Sequence, residues 1–178
     1  VGGFDRVYEL GRIFRNEGLG FRWNPEFTML ETYEAYSDYN GVADMVETMV
    51  SSVAQEVLGR TTVTWRDHQI DLAPPWRRLT MRDALLAHSG IDLFEVRTEA
   101  AMRTELVSRG VTAAPTAGYG KLVDEAVSHF VEPHLIQPTF LLDYPVELSP
   151  LAKRKLEDPR FVERFEVFIG GFELGNAY

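Results

Sequence analysis

No cysteine occurs among the 178 residues, so neither a disulfide nor a thiolate nucleophile can contribute. The four histidines, His68, His88, His129 and His134, show neither an HExxH arrangement nor zinc-ligand spacing, which sets a zinc mechanism aside. Long apolar runs are missing too: each hydrophobic stretch is short and broken by charge, below the roughly 20 residues a membrane-spanning helix requires. The opening Val1-Gly2-Gly3-Phe4-Asp5-Arg6 lacks the basic, apolar, small-residue order of a signal peptide. Together these absences read as a soluble cytoplasmic protein with no membrane association. Basic residues are scarce as well: 18 Lys+Arg against 27 Asp+Glu leave a formal net charge of −9, the wrong sign for a general nucleic-acid-binding surface. If RNA binds, something outside this segment supplies much of the phosphate contact. An excess of carboxylates suits a cationic substrate or a metal, and equally a solvated acidic surface.

What is present is an ordinary globular composition, 45% hydrophobic and 12% aromatic, enough for one domain with a real core. Residues 6–14 alternate as a strand, residues 16–24 are rich in glycine and charge like a loop, and residues 27–36 alternate again. That pattern predicts a long hairpin with a large loop. Asp38 or Asn40 can cap a helix running to about Leu58, stopped by Gly59. Short strands follow at 61–65 and 69–72, then Ala73-Pro74-Pro75 breaks the pattern. Thr80 caps a short helix ending near Gly90, and two more helices are expected at 97–108 and 119–131. Residues 138–144 and 164–169 return to strand composition, and Gly170-Gly171 between apolar flanks signals a two-residue hairpin turn. Strands at both ends with helices between predict an α+β domain with a largely antiparallel sheet. Both ends of the chain fall in or beside strand-like sequence and look cut.

The chemistry concentrates in the two hairpins. Phe14-Arg15-Asn16-Glu17-Gly18, followed by Arg22-Trp23-Asn24-Pro25-Glu26-Phe27-Thr28-Met29-Leu30-Glu31, resembles motif 2 of the class II aminoacyl-tRNA synthetases that activate lysine, aspartate and asparagine. Tyr33-Glu34-Ala35-Tyr36, Leu135-Ile136-Gln137-Pro138-Thr139-Phe140, Tyr144-Pro145, Ser149-Pro150-Leu151-Ala152 and Arg164-Phe165-Glu166 look like the lysine–tRNA ligases in particular. The resemblance spans essentially all of the chain and is weakest over residues 63–117. It implies an incomplete class II catalytic domain over 1–178 that uses ATP, lysine and Mg2+ and serves tRNA(Lys) within a homodimer. It also implies that Arg15 clamps the α-phosphate, Glu17 contacts the adenine amino group and Phe27 stacks on the adenine. Asn24 falls with the ATP-binding residues. Glu31 takes the α-ammonium of lysine, Tyr33 helps to bind its side chain, and Asn176 joins the same pocket.

Elementary geometry is compatible with those roles. On a strand, Phe27, Met29, Glu31, Tyr33 and Ala35 share one face. At roughly 3.3 Å per residue, Phe27 and Glu31 are about 13 Å apart and Glu31 and Tyr33 about 7 Å, a span that fits an aminoacyl-adenylate. Singly, a phenylalanine on a half-buried strand is more often core than a base platform, and an Arg–Glu pair is more often a surface contact. One position departs from the family pattern: Trp23 stands where lysine enzymes have a histidine near the ATP γ-phosphate, and an indole offers one N–H donor and a stacking face but no charge.

In the closing segment, a two-residue turn at Gly170-Gly171 pairs Ile169 with Phe172, Phe168 with Glu173 and Glu166 with Gly175. Glu166 and Glu173 are then diagonal neighbours on one face, roughly 7–8 Å apart at the backbone, close enough to share a hard cation. In the resemblance they hold magnesium on the ATP phosphates. An ideal pleat puts Asn176 on the face opposite Glu173, so its implied role requires a bulge at Gly175.

The later class II motif with its ATP-contacting arginine, the earlier dimer-forming motif, an anticodon-binding domain and a further acidic residue of the lysine pocket are not found in the segment, which is therefore expected to be inactive alone. Three other readings are a protein-lysylating paralogue, a lysine- or adenylate-sensing module that does not ligate, and an enzyme for aspartate or asparagine. Asp143-Tyr144-Pro145 and Ser149-Pro150-Leu151-Ala152 favour the tRNA ligase over the paralogue. Retention of both carboxylate sets argues against the sensor, and the acidic surroundings of Glu31 argue against an anionic substrate.

Overall fold

Alternation of apolar and polar residues at the start of the chain yields two nine-residue strands, β1 (Arg6–Phe14) and β2 (Glu26–Glu34), in the computed structural model, which describes residues 2–16, 18–20 and 24–178. The strands pair antiparallel with a continuous register from Arg6 opposite Glu34 to Phe14 opposite Glu26. Ion pairs mark both ends, Arg6 Nε to Glu34 Oε1 at 2.7 Å and Arg12 Nη1 to Glu26 Oε1 at 3.1 Å. Both arginines are well exposed, so each pair contributes at most about 1 kcal/mol and serves register more than stability. This hairpin belongs to a first unit, Val1–Asp38.

The second unit, Tyr39–Tyr178, is built around a mixed sheet. Helix α1 (Tyr39–Leu58) comes first and ends where Gly59 takes φ +67° and donates its N–H to Gln55 O at 2.9 Å. A small hairpin follows, β3 (Thr62–Trp65) with β4 (His68–Asp71). Next come β5 (Arg77–Thr80) and the helices α2 (Met81–Ser89), α3 (Glu99–Ser108) and α4 (Tyr119–Phe130). The chain closes on β6 (Thr139–Pro145), β7 (Phe161–Ile169) and β8 (Phe172–Ala177). Thr80 caps α2 as its sequence position suggests, its Oγ1 accepting the Asp83 N–H at 3.1 Å, a contact worth about 1 kcal/mol. Helix α3 starts two residues later than residue 97, because Thr98 Oγ1 accepts the Ala101 N–H and takes the capping position.

The main sheet runs β5-β6-β7-β8. β6–β7 and β7–β8 are antiparallel, as expected, but β5 lies parallel to β6. The sequence reading missed β5: it has only four residues, two of them arginine, and its pairing is made to a strand far along the chain. β6 is buried on both faces, which explains its unbroken apolar run of Phe140, Leu141 and Leu142. On one face Phe140, Leu142, Phe165 and Val167 pack with Trp76 and the Val42, Ala43 and Val46 side of α1. On the other, Leu141, Val162 and Phe168 pack with α2, α3 and α4 through Leu85, Leu106 and Leu122. Each leucine, valine or phenylalanine among these that is buried in full contributes about 1.5–3 kcal/mol. The sheet is thus covered by helices on both faces. Among the described residues no helix is long and apolar enough to cross a membrane.

Candidate functional site

Within the first unit, the register puts Phe27, Met29, Glu31 and Tyr33 on one face, opposite Ile13, Gly11, Glu9 and Val7. Arg15 lies just past β1 and is tied across the hairpin by its N–H to Pro25 O at 2.9 Å. Its guanidinium carbon stands 5.3 Å from the Phe27 ring centroid and its Nη2 reaches Met29 Sδ at 3.9 Å. Arginine and aromatic are therefore together on the face that also carries Glu31 and Tyr33. Asn24 uses its amide on the Glu26 carbonyl at 2.7 Å, shaping the approach to β2. Glu17 and Trp23 lie outside the described residues. Glu9, which the sequence reading did not single out, is directly opposite Glu31. Like charges so placed repel, and a cation bound between them relieves that repulsion. Counting back from the aligned strand ends would have exposed the pair.

The second candidate locus is the β7–β8 hairpin. Its turn is as the sequence predicts: Ile169 pairs with Phe172, and Gly170 and Gly171 both adopt positive φ, +65° and +77°. The turn is held from outside by Gly170 N–H to Ile136 O at 2.8 Å and Gly171 N–H to Leu135 O at 3.0 Å. Trp65 leans on it as well, edge-on to Phe172 with ring centroids 6.0 Å apart. A Cβ on Gly170 would meet Trp65 Cδ1 at 2.8 Å, whereas one on Gly171 would find nothing closer than Glu132 O at 3.6 Å. Gly170→Ala should therefore lower the thermal midpoint clearly more than Gly171→Ala, since both incur the left-handed backbone cost of about 1–2 kcal/mol and only the first displaces an indole. Equal losses in paired thermal melts would show that Trp65 yields without cost.

Beyond the turn the expected register needs correction. Phe168 pairs with Glu173 as predicted, but Val167 pairs with Gly175 and Glu166 with Asn176, not with Gly175. Leu174 is the extra residue of a bulge, which shifts everything after it by one position and inverts its facing. Asn176 consequently joins the face of Glu166 and Glu173, and its Nδ2 donates to Glu173 Oε1 at 3.3 Å. The bulge that its implied role requires is present.

Glu166 is the most perturbed carboxylate of the group. Burial first, and then the charge of Glu173, push its pKa up to about 7, against the opposing pull of Tyr144 and Arg164. The influence of the Glu173 charge on Glu166 is the electrostatic signature of neighbours on one face. Arg164 Nη2 donates to Glu166 Oε1 at 2.6 Å, while its Nη1 donates to Ser149 Oγ. The Arg164 guanidinium lies 4.5 Å from the Tyr144 ring centroid. Tyr144 and Arg164 fall in segments that carry the family resemblance, but nothing in the sequence assigns either a role at the site.

The chemistry of the donors fits a hard divalent cation, for two adjacent carboxylates gain by neutralisation. Among the described residues no three histidine, aspartate or glutamate side chains converge on a metal position. His88 and His134 do stack, with centroids 4.6 Å apart, although sequence spacing separates them. Two carboxylates without a full cage match magnesium, which commonly takes one or two protein carboxylates and completes its octahedron with water and substrate phosphate.

Comparison with known proteins identifies the family. The family model described as tRNA synthetases class II (D, K and N) matches residues 1–178. A lysine–tRNA ligase of Dehalococcoides mccartyi is 56% identical over the whole of this chain, which covers 36% of that relative. Those of Moorella thermoacetica and Chloroflexus aurantiacus are 53% and 48% identical, again over the whole chain and 36% of the relative. The chain thus spans about a third of the length of the curated relatives it matches. With a family match from first residue to last, and with the arginine, aromatic and carboxylates distributed over two hairpins as described, this chain belongs to the class II tRNA synthetases of the aspartate, lysine and asparagine group.

Proposed function

We propose that this chain contributes to the catalytic site of a cytoplasmic, homodimeric lysine–tRNA ligase, which activates lysine with ATP as lysyl-adenylate and passes the lysyl group to tRNA(Lys). The observation that carries the reading is the bulged β7–β8 hairpin, which collects Glu166, Glu173 and Asn176 on one face. The reaction has two steps. The lysine carboxylate attacks the α-phosphorus of ATP and pyrophosphate leaves; the terminal ribose hydroxyl of the tRNA then attacks the acyl carbon and AMP leaves.

No protein nucleophile is needed, so the residues act by positioning and by offsetting charge. Phe27 offers its ring to the adenine, and Arg15, resting against that ring, is a short reach from an α-phosphate that its planar fork can grip through two N–H groups. Glu31, with Glu9 across the strand pair, suits the α-ammonium and makes an anionic amino acid a poor substrate. Tyr33, more than half exposed at 57%, is open to pack along an alkyl side chain. Asn176 supplies a neutral amide beside Glu173 for the lysine substrate. Glu17, Trp23 and Asn24 complete the ATP contacts. Glu166 and Glu173 would hold Mg2+, which supplies positive charge to the phosphates during transfer.

The test is lysine-dependent exchange of pyrophosphate into ATP by the full-length protein that contains this segment, with tRNA(Lys) charging as the second readout. Exchange and charging with lysine, and neither with aspartate or asparagine, is the expected result. Exchange without charging of tRNA(Lys) would overturn the acceptor assignment, and failure of both would overturn the ligase reading. The isolated 178-residue chain should exchange at background, because the ATP-contacting arginine of the family's later motif has no counterpart in it. Robust exchange by the segment would show that Arg15 and the acidic pair suffice.

A further inference from the structure

The geometry points to Tyr144 as a positioning residue for Glu166, set on the Glu166 face of the sheet by a bulge at Asp143 that Lys155 and Tyr39 hold in place. The inference rests on the metal-binding reading of Glu166 and Glu173 and adds a residue that nothing in that reading requires.

The argument begins with parity. Leu141 pairs with Glu166 and Leu142 with Phe165, so continued alternation would pair Tyr144 with Glu163 and turn it to the α1 side. Instead the register shifts between Leu142 and Tyr144, and Tyr144 pairs with Val162. Val162 lies on the face of Arg164 and Glu166, and Tyr144 joins the core on that side. Asp143 is the bulged residue and has φ +63°, a conformation uncommon for a non-glycine residue outside aspartate and asparagine. Its carboxylate is engaged at both oxygens: Tyr39 Oη donates to Oδ1 at 3.0 Å and Lys155 Nζ to Oδ2 at 2.6 Å. These contacts reach from α1 and from the segment before β7, so the bulge is fixed by elements on either side of it.

The result is a buried phenol directed at a functional carboxylate. Tyr144 is 3% exposed, and its Oη is buried and makes no hydrogen bond of regular geometry among the described residues. Arg164 links the two, its guanidinium 4.5 Å from the Tyr144 ring centroid and its Nη2 donating to Glu166 Oε1 at 2.6 Å. A buried hydroxyl left unpaired carries a desolvation cost, and the Glu166 carboxylate, on the same face of the sheet and held at Oε1 by Arg164, is an acceptor able to relieve it. When Glu166 turns one oxygen to a cation, Tyr144 donates to the carboxylate from behind, and Arg164 and Tyr144 together fix its plane. Outer partners of this kind commonly change metal affinity by about 10- to 100-fold.

The decisive variant in the full-length protein is Tyr144→Phe, which deletes one buried oxygen and leaves the ring under Arg164. Its thermal midpoint should equal or exceed the parent's. The Mg2+ concentration that half-saturates pyrophosphate exchange should rise roughly tenfold, with the KM for lysine within about twofold. Mn2+ titrated into the ATP-bound protein and followed by electron paramagnetic resonance should weaken by the same factor, independently of turnover. Asp143→Ala, which removes both carboxylate contacts, should reproduce the metal effect, and Asp143→Asn, which tolerates the left-handed backbone, should rescue part of it. Glu173→Gln separates the two levels of the argument. If Glu173→Gln weakens Mn2+ and Tyr144→Phe does not, the metal site stands and Tyr144 is an inert core residue. If neither weakens it, the metal reading fails and takes the role of Tyr144 with it.

Discussion

In the full-length protein, replacing Glu173 by glutamine will lower the rate constant for adenylate formation by about a hundred- to a thousandfold while the dissociation constant for lysine stays within a few-fold, if the carboxylate serves, as proposed, charge that grows on the transferring phosphates. Single-turnover formation of lysyl-adenylate, alongside equilibrium binding of lysine without ATP, separates the two quantities. The variant should fold, since Glu173 sits on an exposed stretch of β8 and loses only the 3.3 Å contact from Asn176. A comparable loss in lysine affinity would move Glu173 from the metal to the amino-acid pocket. The same variant has a signature without nucleotide or metal. Glu166 resists ionisation partly because of the Glu173 charge, so its pKa in Glu173→Gln should drop from about 7 toward the ordinary carboxylate value. Because the folded-state pKa is raised, the folded parent binds more protons than the unfolded chain between the ordinary value and about 7. Metal-free stability therefore falls as pH rises through that window and levels off above it. Glu173→Gln should flatten the fall, and thermal melts from pH 4 to 8 would read it.

Arg15→Ala should be of similar severity, about a hundred- to a thousandfold in kcat/KM for ATP, if the guanidinium meets the α-phosphate as proposed. Arg15→Lys should recover only part of that loss, for an ammonium restores the charge but not the two-pronged contact. The structural consequence should be small: Arg15 gives up its position over the Phe27 ring, 5.3 Å from the centroid, an exposed contact worth about 0.5–1 kcal/mol. An Arg15→Ala enzyme within tenfold of the parent would remove the phosphate role and leave Arg15 as a cover for the aromatic. Phe27→Leu is the companion control, expected to raise the KM for ATP with little change in kcat, since the proposed stacking on adenine would be made equally in ground and transition states.

The sequence by itself determined whatever depends on neighbours within a few residues. The turn at Gly170 and Gly171 is such a feature, because positive φ at both positions is a local preference of glycine. So are the Thr80 cap and the stop at Gly59. Hairpin β1–β2 follows from its alternation, and with it the shared face of Phe27, Glu31 and Tyr33. The candidate site residues came from a long motif resemblance, and two of them, Arg15 and Phe27, lie against each other. Tertiary structure alone decided the rest. The bulge at Leu174, which turns Asn176 toward Glu173, and the bulge at Asp143, which turns Tyr144 to the Glu166 face, are each a slip of one residue. A slip of that size leaves composition and alternation almost unchanged yet inverts every side chain after it. What selects it is the energy of distant partners, here Tyr39 and Lys155 for Asp143 and the cross-strand neighbours on β7 for Leu174. Strand β5 escaped notice for the same reason, since four residues with two arginines become a strand only when β6 offers its edge. The elevated pKa of Glu166 is likewise a property of burial and of Glu173 brought near it by folding, and no reading of a linear chain assigns a dielectric environment to a glutamate.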